Sequence, residues 1–180
     1  MKNELNNKVA LITGASKGIG AGIATAFGAA GAKVAVGFGR DNESAERVAD
    51  EIKAAGGQAI TVQCDLAKST DIEAMIAEVT KTYGPIDILV NNAGVYDFKA
   101  LPEIDEMHFH HIFNTNVLGL LTTTKFAVAH FNPEGGTVIN ISSLGALGNT
   151  PNSAVYSASK AAVNAIMPGY LIQKAPALSG

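Results

Sequence analysis

The sequence has one cysteine, Cys64, which excludes an internal disulfide framework and any cysteine-based zinc cage. Its thiol reads as a buried, inert group at the end of a strand. No apolar run approaches the roughly 20 residues needed to cross a bilayer, and the polar opening MKNELNNKVA is not the apolar segment of a signal peptide. A cytoplasmic location with no membrane partner is the expectation. Charge of one sign is scarce as well. With 13 Lys and Arg against 16 Asp and Glu, the formal net charge is −3 and no basic stripe forms, so nucleic acid is not an expected partner. There are no internal repeats, low-complexity tracts or linkers, and 180 residues fit one domain. What is present is a composition 47% hydrophobic and 16% charged, which supports a packed core.

KVALITGA, Lys8 to Ala15, is a short continuous apolar run ended by glycine, the pattern of a strand buried on both faces. Behind it Ile19, Ile23, Ala26 and Phe27 recur at helical spacing until Gly31. The pattern then repeats: strand KVAVGF, helix NESAERVADEIKAAGG, strand QAITVQCD, helix STDIEAMIAEVTKTYG with Ser69 or Thr70 as its N-cap, and strand PIDILVNNAG. A long helical region from Ile104 to Phe131 and a fifth strand, GGTVINISS, follow. Alternating strands and helices predict an α/β fold, a doubly wound parallel sheet in a single domain. Such a sheet binds its ligand at the carboxyl ends of the strands.

TGASKGIG, Thr13 to Gly20, follows the first strand. Glycines at 14, 18 and 20 allow a tight turn and a close approach to a pyrophosphate, with the next helix pointing its amides at that anion. The spacing Gly-x-x-x-Gly-x-Gly resembles the cofactor loop of the short-chain dehydrogenase/reductase family. Three further segments resemble that family in the right order: NNAG (Asn91 to Gly94), NISS (Asn140 to Ser143) and YSASK (Tyr156 to Lys160). The resemblance runs from about Lys8 to Ile166 and is closest in type to 3-oxoacyl-thioester reductases.

Tyr156 and Lys160 are four apart and share one helical face. A free tyrosine, with pKa about 10, is a weak acid or base at neutral pH, and a nearby ammonium favours its phenolate. Lys160 is therefore the expected tuner of Tyr156, and the resemblance implies that it also holds the nicotinamide ribose. Ser143, 13 residues before Tyr156, can donate to a substrate carbonyl. The family pattern selects it over Ser142, whose side chain points to the opposite face of the strand. The resemblance also implies a helix asparagine that holds a water in the proton path. The context NVLG places that role on Asn116, with Asn114 as the competing position. Taken singly, each of these residues has an ordinary reading: a core tyrosine, a helix-capping serine, a solvated lysine. Together they predict hydride transfer between a nicotinamide and a small-molecule carbonyl or alcohol. Reduction of a 3-oxoacyl thioester or similar ketone is the leading expectation, with glucose dehydrogenase-like alcohol oxidation or a non-catalytic cofactor-binding protein as alternatives.

The resemblance implies cofactor contacts from Gly14, Ser16, Lys17, Gly18, Ile19 and Gly20 in the loop. It implies others from Asp65 and Leu66 after the third strand, from Asn92, Ala93 and Gly94, and from Tyr156 and Lys160. Thr13 is expected to link the glycine loop to neighbouring backbone. A free 2′-hydroxyl on the adenosine ribose is usually held by an acid just after the second strand, and a 2′-phosphate by cations. Phe38 stands at the acid's position, with Arg40 beyond it and Lys17 in the loop, so NADP(H) is favoured. Asp41 keeps NAD(H) as the alternative. His108 and His111 at i, i+3 could share a metal in principle, but no carboxylate is arranged as a third ligand, and no metal is expected.

The resemblance breaks near Ile166 and Met167. There MPGY brings a proline where the helix bearing Tyr156 should continue, and Pro168 and Gly169 resemble the family's turn after its sixth strand. Residues 1–180 thus read as one NAD(P)-binding Rossmann-like domain with an internal gap near 166–167 and without the family's C-terminal portion. Either an intervening segment is left out, or a true deletion exposes a sheet edge. The family also implies a homodimer or homotetramer.

Overall fold

The protein is described by a computed structural model covering residues 4–148 and 150–173, the side chains from 168 onward excepted. Five strands form one parallel sheet: β1 (Val9–Ile12), β2 (Lys33–Phe38), β3 (Gln58–Gln63), β4 (Ile88–Asn91) and β5 (Thr137–Asn140). Their order is β3-β2-β1-β4-β5, so the chain reverses its direction of winding between β1 and β4. Helices α1 (Gly18–Ala29), α2 (Asn42–Ala54) and α3 (Ser69–Tyr83) connect the first four strands.

The two faces follow from strand alternation. Ala10, Ile12, Val34 and Val36 pack with Ala24, Val48 and Ile52 of α1 and α2. Val9, Leu11, Ala35 and Leu89 pack instead with Ile72, Met75, Ile76 and Val79 of α3. Fully burying one such aliphatic side chain stabilises by roughly 1.5–3 kcal/mol, and β1, with all four residues buried, is the centre of both layers. Cys64, just past β3, is buried, and burial pushes its pKa up to about 12, with Asp71 and Asp65 adding to the shift.

Three sequence expectations need correction. The long helical region is not continuous: α4 (Glu106–Phe113) gives way to a π-helical segment, Asn114–Gly119, before α5 (Leu120–Ala129) resumes. Helix α3 is capped by neither Ser69 nor Thr70. Its N-cap is Lys68 without a side-chain bond, because the preceding turn is closed by Asp65, which accepts from the amides of Ala67 (3.1 Å) and, through its carbonyl, Lys68 (2.9 Å). Helix α6 (Ala154–Gln173) runs through Pro168 and Gly169 rather than turning there. Proline's fixed φ is itself helical, and it removes one N–H bond near the helix end.

Candidate functional site

The carboxyl ends of β1, β4 and β5 meet at the point where strand order reverses. Gly14 and Gly18 have φ of +62° and +59°, a region open to glycine at little cost. A Cβ on Gly14 would lie 2.7 Å from Ala93 Cα, so the loop touches the NNAG backbone. The Thr13 hydroxyl accepts from the amides of Asn92 and Ala93, both at 3.1 Å, and donates to the Val90 carbonyl at 3.3 Å. Asn92 Nδ2 in turn donates to the carbonyls of Thr13 (3.0 Å) and Gly14 (2.9 Å). The side chain of Asn92 thus braces the glycine loop. Helix α1 begins here with Lys17 as N-cap and no side-chain bond to its first amides, and nothing stands within 4 Å of a Cβ built on Gly18. An open helix N-terminus beside a glycine cradle fits a pyrophosphate.

Four side chains converge on the second half of the site. Lys160 is buried, donates from Nζ to the Ile141 carbonyl at 3.0 Å, and has its pKa pushed down by that burial. A Cβ on Gly94 would fall 3.3 Å from Asn116 Oδ1 and 3.4 Å from Lys160 Nζ, so those two groups flank the same glycine. A Cβ on Gly145 would fall 3.3 Å from both Ser143 Oγ and Tyr156 Cε1, which places the serine hydroxyl beside the phenol ring. Ser143 caps a short 3-10 turn (Leu144–Leu147) by accepting from the Gly145 amide at 3.0 Å. A hydroxyl that accepts one bond keeps its own proton for donation, so capping and carbonyl orientation are compatible. Ser142 donates to the Lys160 carbonyl at 3.3 Å and forms part of the wall of a cavity of about 150 Å³, together with Asn92, Gly94, Tyr96, Tyr156 and Lys160.

Asn116 sits in the π-helical segment, a feature frequent at functional sites. Its side chain is bonded on both ends. Oδ1 accepts from the Val95 amide at 2.8 Å, while Nδ2 donates to the Val95 carbonyl at 2.9 Å and to Ser159 Oγ at 3.0 Å. Val95, Ser159 and the Ile141 carbonyl are the contributors that the sequence reading missed. Ser159 lies inside YSASK, where its spacing from Tyr156 is a readable signal, but a backbone carbonyl carries none.

The remaining expected positions are more dispersed. Lys17 and Ile19 are exposed beside the loop and Ser16 is half-buried. Phe38 is buried at the end of β2, and Arg40 is exposed beyond it. Asp41 caps α2, accepting from the Ser44 amide at 3.1 Å, and that bond holds its carboxyl below the usual range. Leu66 is half-buried against α3, its carbonyl 2.6 Å from where a Cβ on Gly119 would sit, and Asp65 is exposed. His108 is buried and His111 exposed, so the pair does not face one point. No helix among the described residues is long and apolar enough to cross a membrane.

The family described as short chain dehydrogenase matches residues 8–173. An uncharacterized oxidoreductase of Methylorubrum extorquens is 46% identical over 91% of this chain and 66% of its own length. A hydroxynaphthalene reductase of Aspergillus fumigatus is 42% identical over 88% of this chain and 58% of its own. A 3-oxoacyl-[acyl-carrier-protein] reductase of Staphylococcus epidermidis is 35% identical over 92% and 76%. The chain therefore spans about three-fifths to three-quarters of these relatives. A crystal structure of a short chain dehydrogenase from Burkholderia cenocepacia in complex with NADP superposes with a TM-score of 0.92 at 32% identity, over 97% of this chain and 71% of that one. With the strand order, the braced glycine loop and the Ser143–Tyr156–Lys160 grouping, these matches lead to one conclusion: the chain belongs to the short-chain dehydrogenase family.

Proposed function

We propose that this site binds NADP(H) and that the whole protein reduces a carbonyl, a 3-oxoacyl thioester or similar ketone, to a secondary alcohol. The observation that carries this reading is the placement of the Ser143 hydroxyl beside the Tyr156 ring, with buried Lys160 one helical turn further on. The bound nicotinamide supplies the hydride. Ser143 orients the carbonyl and shares its developing charge. Tyr156 delivers the proton from its phenolic oxygen to the carbonyl oxygen. Lys160, anchored to the Ile141 carbonyl, keeps a cation near the phenol and the ribose. The side chain of Asn116, engaged by Val95 and Ser159, fixes that stretch of helix beside Lys160, where the relay water assigned to Asn116 would be held.

Exposed Lys17 and Arg40 support NADP(H) over NAD(H), as does the use of Asp41 as a helix cap. In this reading Gly14, Gly18 and Gly20 cradle the pyrophosphate, with Ser16, Ile19, Asp65, Leu66, Ala93 and Gly94 around the rest of the cofactor. The relatives named for a hydroxynaphthalene and for a 3-oxoacyl thioester differ in the shape of what they reduce and share a reductase's name. The test is NADPH oxidation against a panel of ketones. Tyr156→Phe is expected to lower turnover by at least about 100-fold with NADPH affinity kept. Turnover that survives the substitution removes the catalytic assignment, and NADPH binding without any turnover leaves a nucleotide-binding protein.

A further inference from the structure

Between Gly94 and Ala100 the backbone is held at alternate residues. Val95 is clamped by Asn116 through bonds of 2.8 and 2.9 Å, the Asp97 carbonyl is met by His108 Nε2 at 2.9 Å, and the Lys99 amide donates to the Asn152 carbonyl at 3.0 Å. The residues between these anchors, Tyr96 and Phe98, turn outward and are 74% and 49% exposed. Alternation of this kind is what an extended segment produces. Their rings converge with that of Tyr156. The centroids of Tyr96 and Phe98 lie 6.4 and 5.8 Å from the Tyr156 centroid in edge-to-face geometry, and 5.9 Å from each other. Tyr96 also forms part of the wall of the cavity that Tyr156 and Lys160 line.

On the reductase reading of this site, we infer that the ketone is carried on a flat aromatic ring system rather than a linear 3-oxoacyl chain, and that Tyr96 and Phe98 are the residues that select it. Ring partners gain from specific aromatic geometry beyond the area they bury, whereas an acyl chain gains from area alone. Among the described residues the three rings form one aromatic face beside the proton donor. Buried His108 fixes the middle of the loop by bonding the Asp97 carbonyl through Nε2 at 2.9 Å. Charge points the same way. Residues 97–106 carry Asp97, Glu103, Asp105 and Glu106 against Lys99, which itself lies 4.0 Å from Asp105. That balance disfavours the phosphate-bearing carriers on which acyl thioesters travel and is indifferent to an uncharged aromatic ketone.

The test compares 1-tetralone with the N-acetylcysteamine thioester of 3-oxohexanoate, each titrated calorimetrically into NADP+-saturated protein. Tetralone is expected to bind about tenfold more tightly. That ratio is expected to fall toward one in Tyr96→Ala/Phe98→Ala and to persist in Phe98→Tyr, with NADPH affinity unchanged in both variants as the control for folding. A thioester bound as tightly as tetralone, a ratio untouched by the double substitution, or no tetralone binding at all overturns the inference. Selective tetralone binding without NADPH oxidation would sink the reductase reading and leave this one standing. Tyr156-dependent thioester reduction that is insensitive to Tyr96 and Phe98 would do the reverse.

Discussion

At the scale of single residues, the glycines separate into those that make room and those that merely occupy a place. A Cβ on Gly20 would press on Asn92 Nδ2 and lie 2.5 Å from the Gly14 carbonyl, so Gly20→Ala must displace the amide that braces the loop. We expect a loss of about 1–3 kcal/mol in stability from overpacking. NADPH affinity should fall with it, read by fluorescence titration. Gly22, two residues on and so turned to the other side of α1, has nothing among the described residues within 4 Å of its Cβ position. Gly22→Ala is expected to stabilise by roughly 0.5–1 kcal/mol, seen as a raised Tm with unchanged NADPH affinity. Equal behaviour of the two variants would contradict the bracing role of Asn92.

At the scale of elements, Asp87 ties the amino ends of the central strands together. Its carboxylate accepts from the Val9 amide at 2.9 Å, from Lys8 Nζ at 3.0 Å and from Asn132 Nδ2 at 3.0 Å. Burial works to raise its pKa. The bonds from Val9, Lys8 and Asn132 outweigh that and hold the carboxyl below its ordinary 3.8. Because the folded value lies below the unfolded one, the stabilisation is full above pH 3.8 and is lost as pH falls through the folded value. Asp87→Ala should therefore cost about 2–3 kcal/mol in urea denaturation at neutral pH. The gap from the unsubstituted protein should narrow in acid below the ordinary carboxylate range. A gap that stays constant into acid would show that the loss is one of packing rather than of charge.

The π-helical segment is an element-scale feature that the apolar periodicity of 104–131 conceals. A helical repeat is set by neighbours within one turn, and the shift to wider winding is decided where Asn116 bonds Val95, 21 residues away in sequence. Likewise, with Phe38 standing at the position of the ribose acid, Asp41 could be read from the sequence only as an alternative acid in the same loop. That its carboxylate is engaged in capping α2, by accepting from the Ser44 amide, is decided by the structure.

At the scale of the whole molecule, β5 is a sheet edge among the described residues. Its side chains alternate between exposed and half-buried, and Ile139 is 38% exposed. An open parallel edge with an apolar side chain invites pairing with another chain. Ile139→Lys is expected to lower light scattering on heating at high protein concentration, with NADPH affinity unchanged. Scattering that does not change would place the association surface elsewhere. Exposed Met107, Phe109 and Leu118 on α4 and the π-helical segment offer such a surface. They support the proposal of a homodimer or homotetramer, which light scattering coupled to size exclusion measures directly.

The alternation of short apolar runs with amphipathic stretches determined an α/β fold, because strand and helix periods are local properties of the chain. The same locality made Gly14, Gly18, Gly20, Ser143, Tyr156 and Lys160 legible as a group, since each lies at a strand end or one helical turn from a partner. Tertiary structure alone decided the order β3-β2-β1-β4-β5, the partners of Asn116, the carbonyl that anchors Lys160, and the meeting of Tyr96 and Phe98 with Tyr156. Those contacts join residues from 19 to about 60 positions apart, and they exist only once the helices have packed on the sheet. No local pattern encodes them.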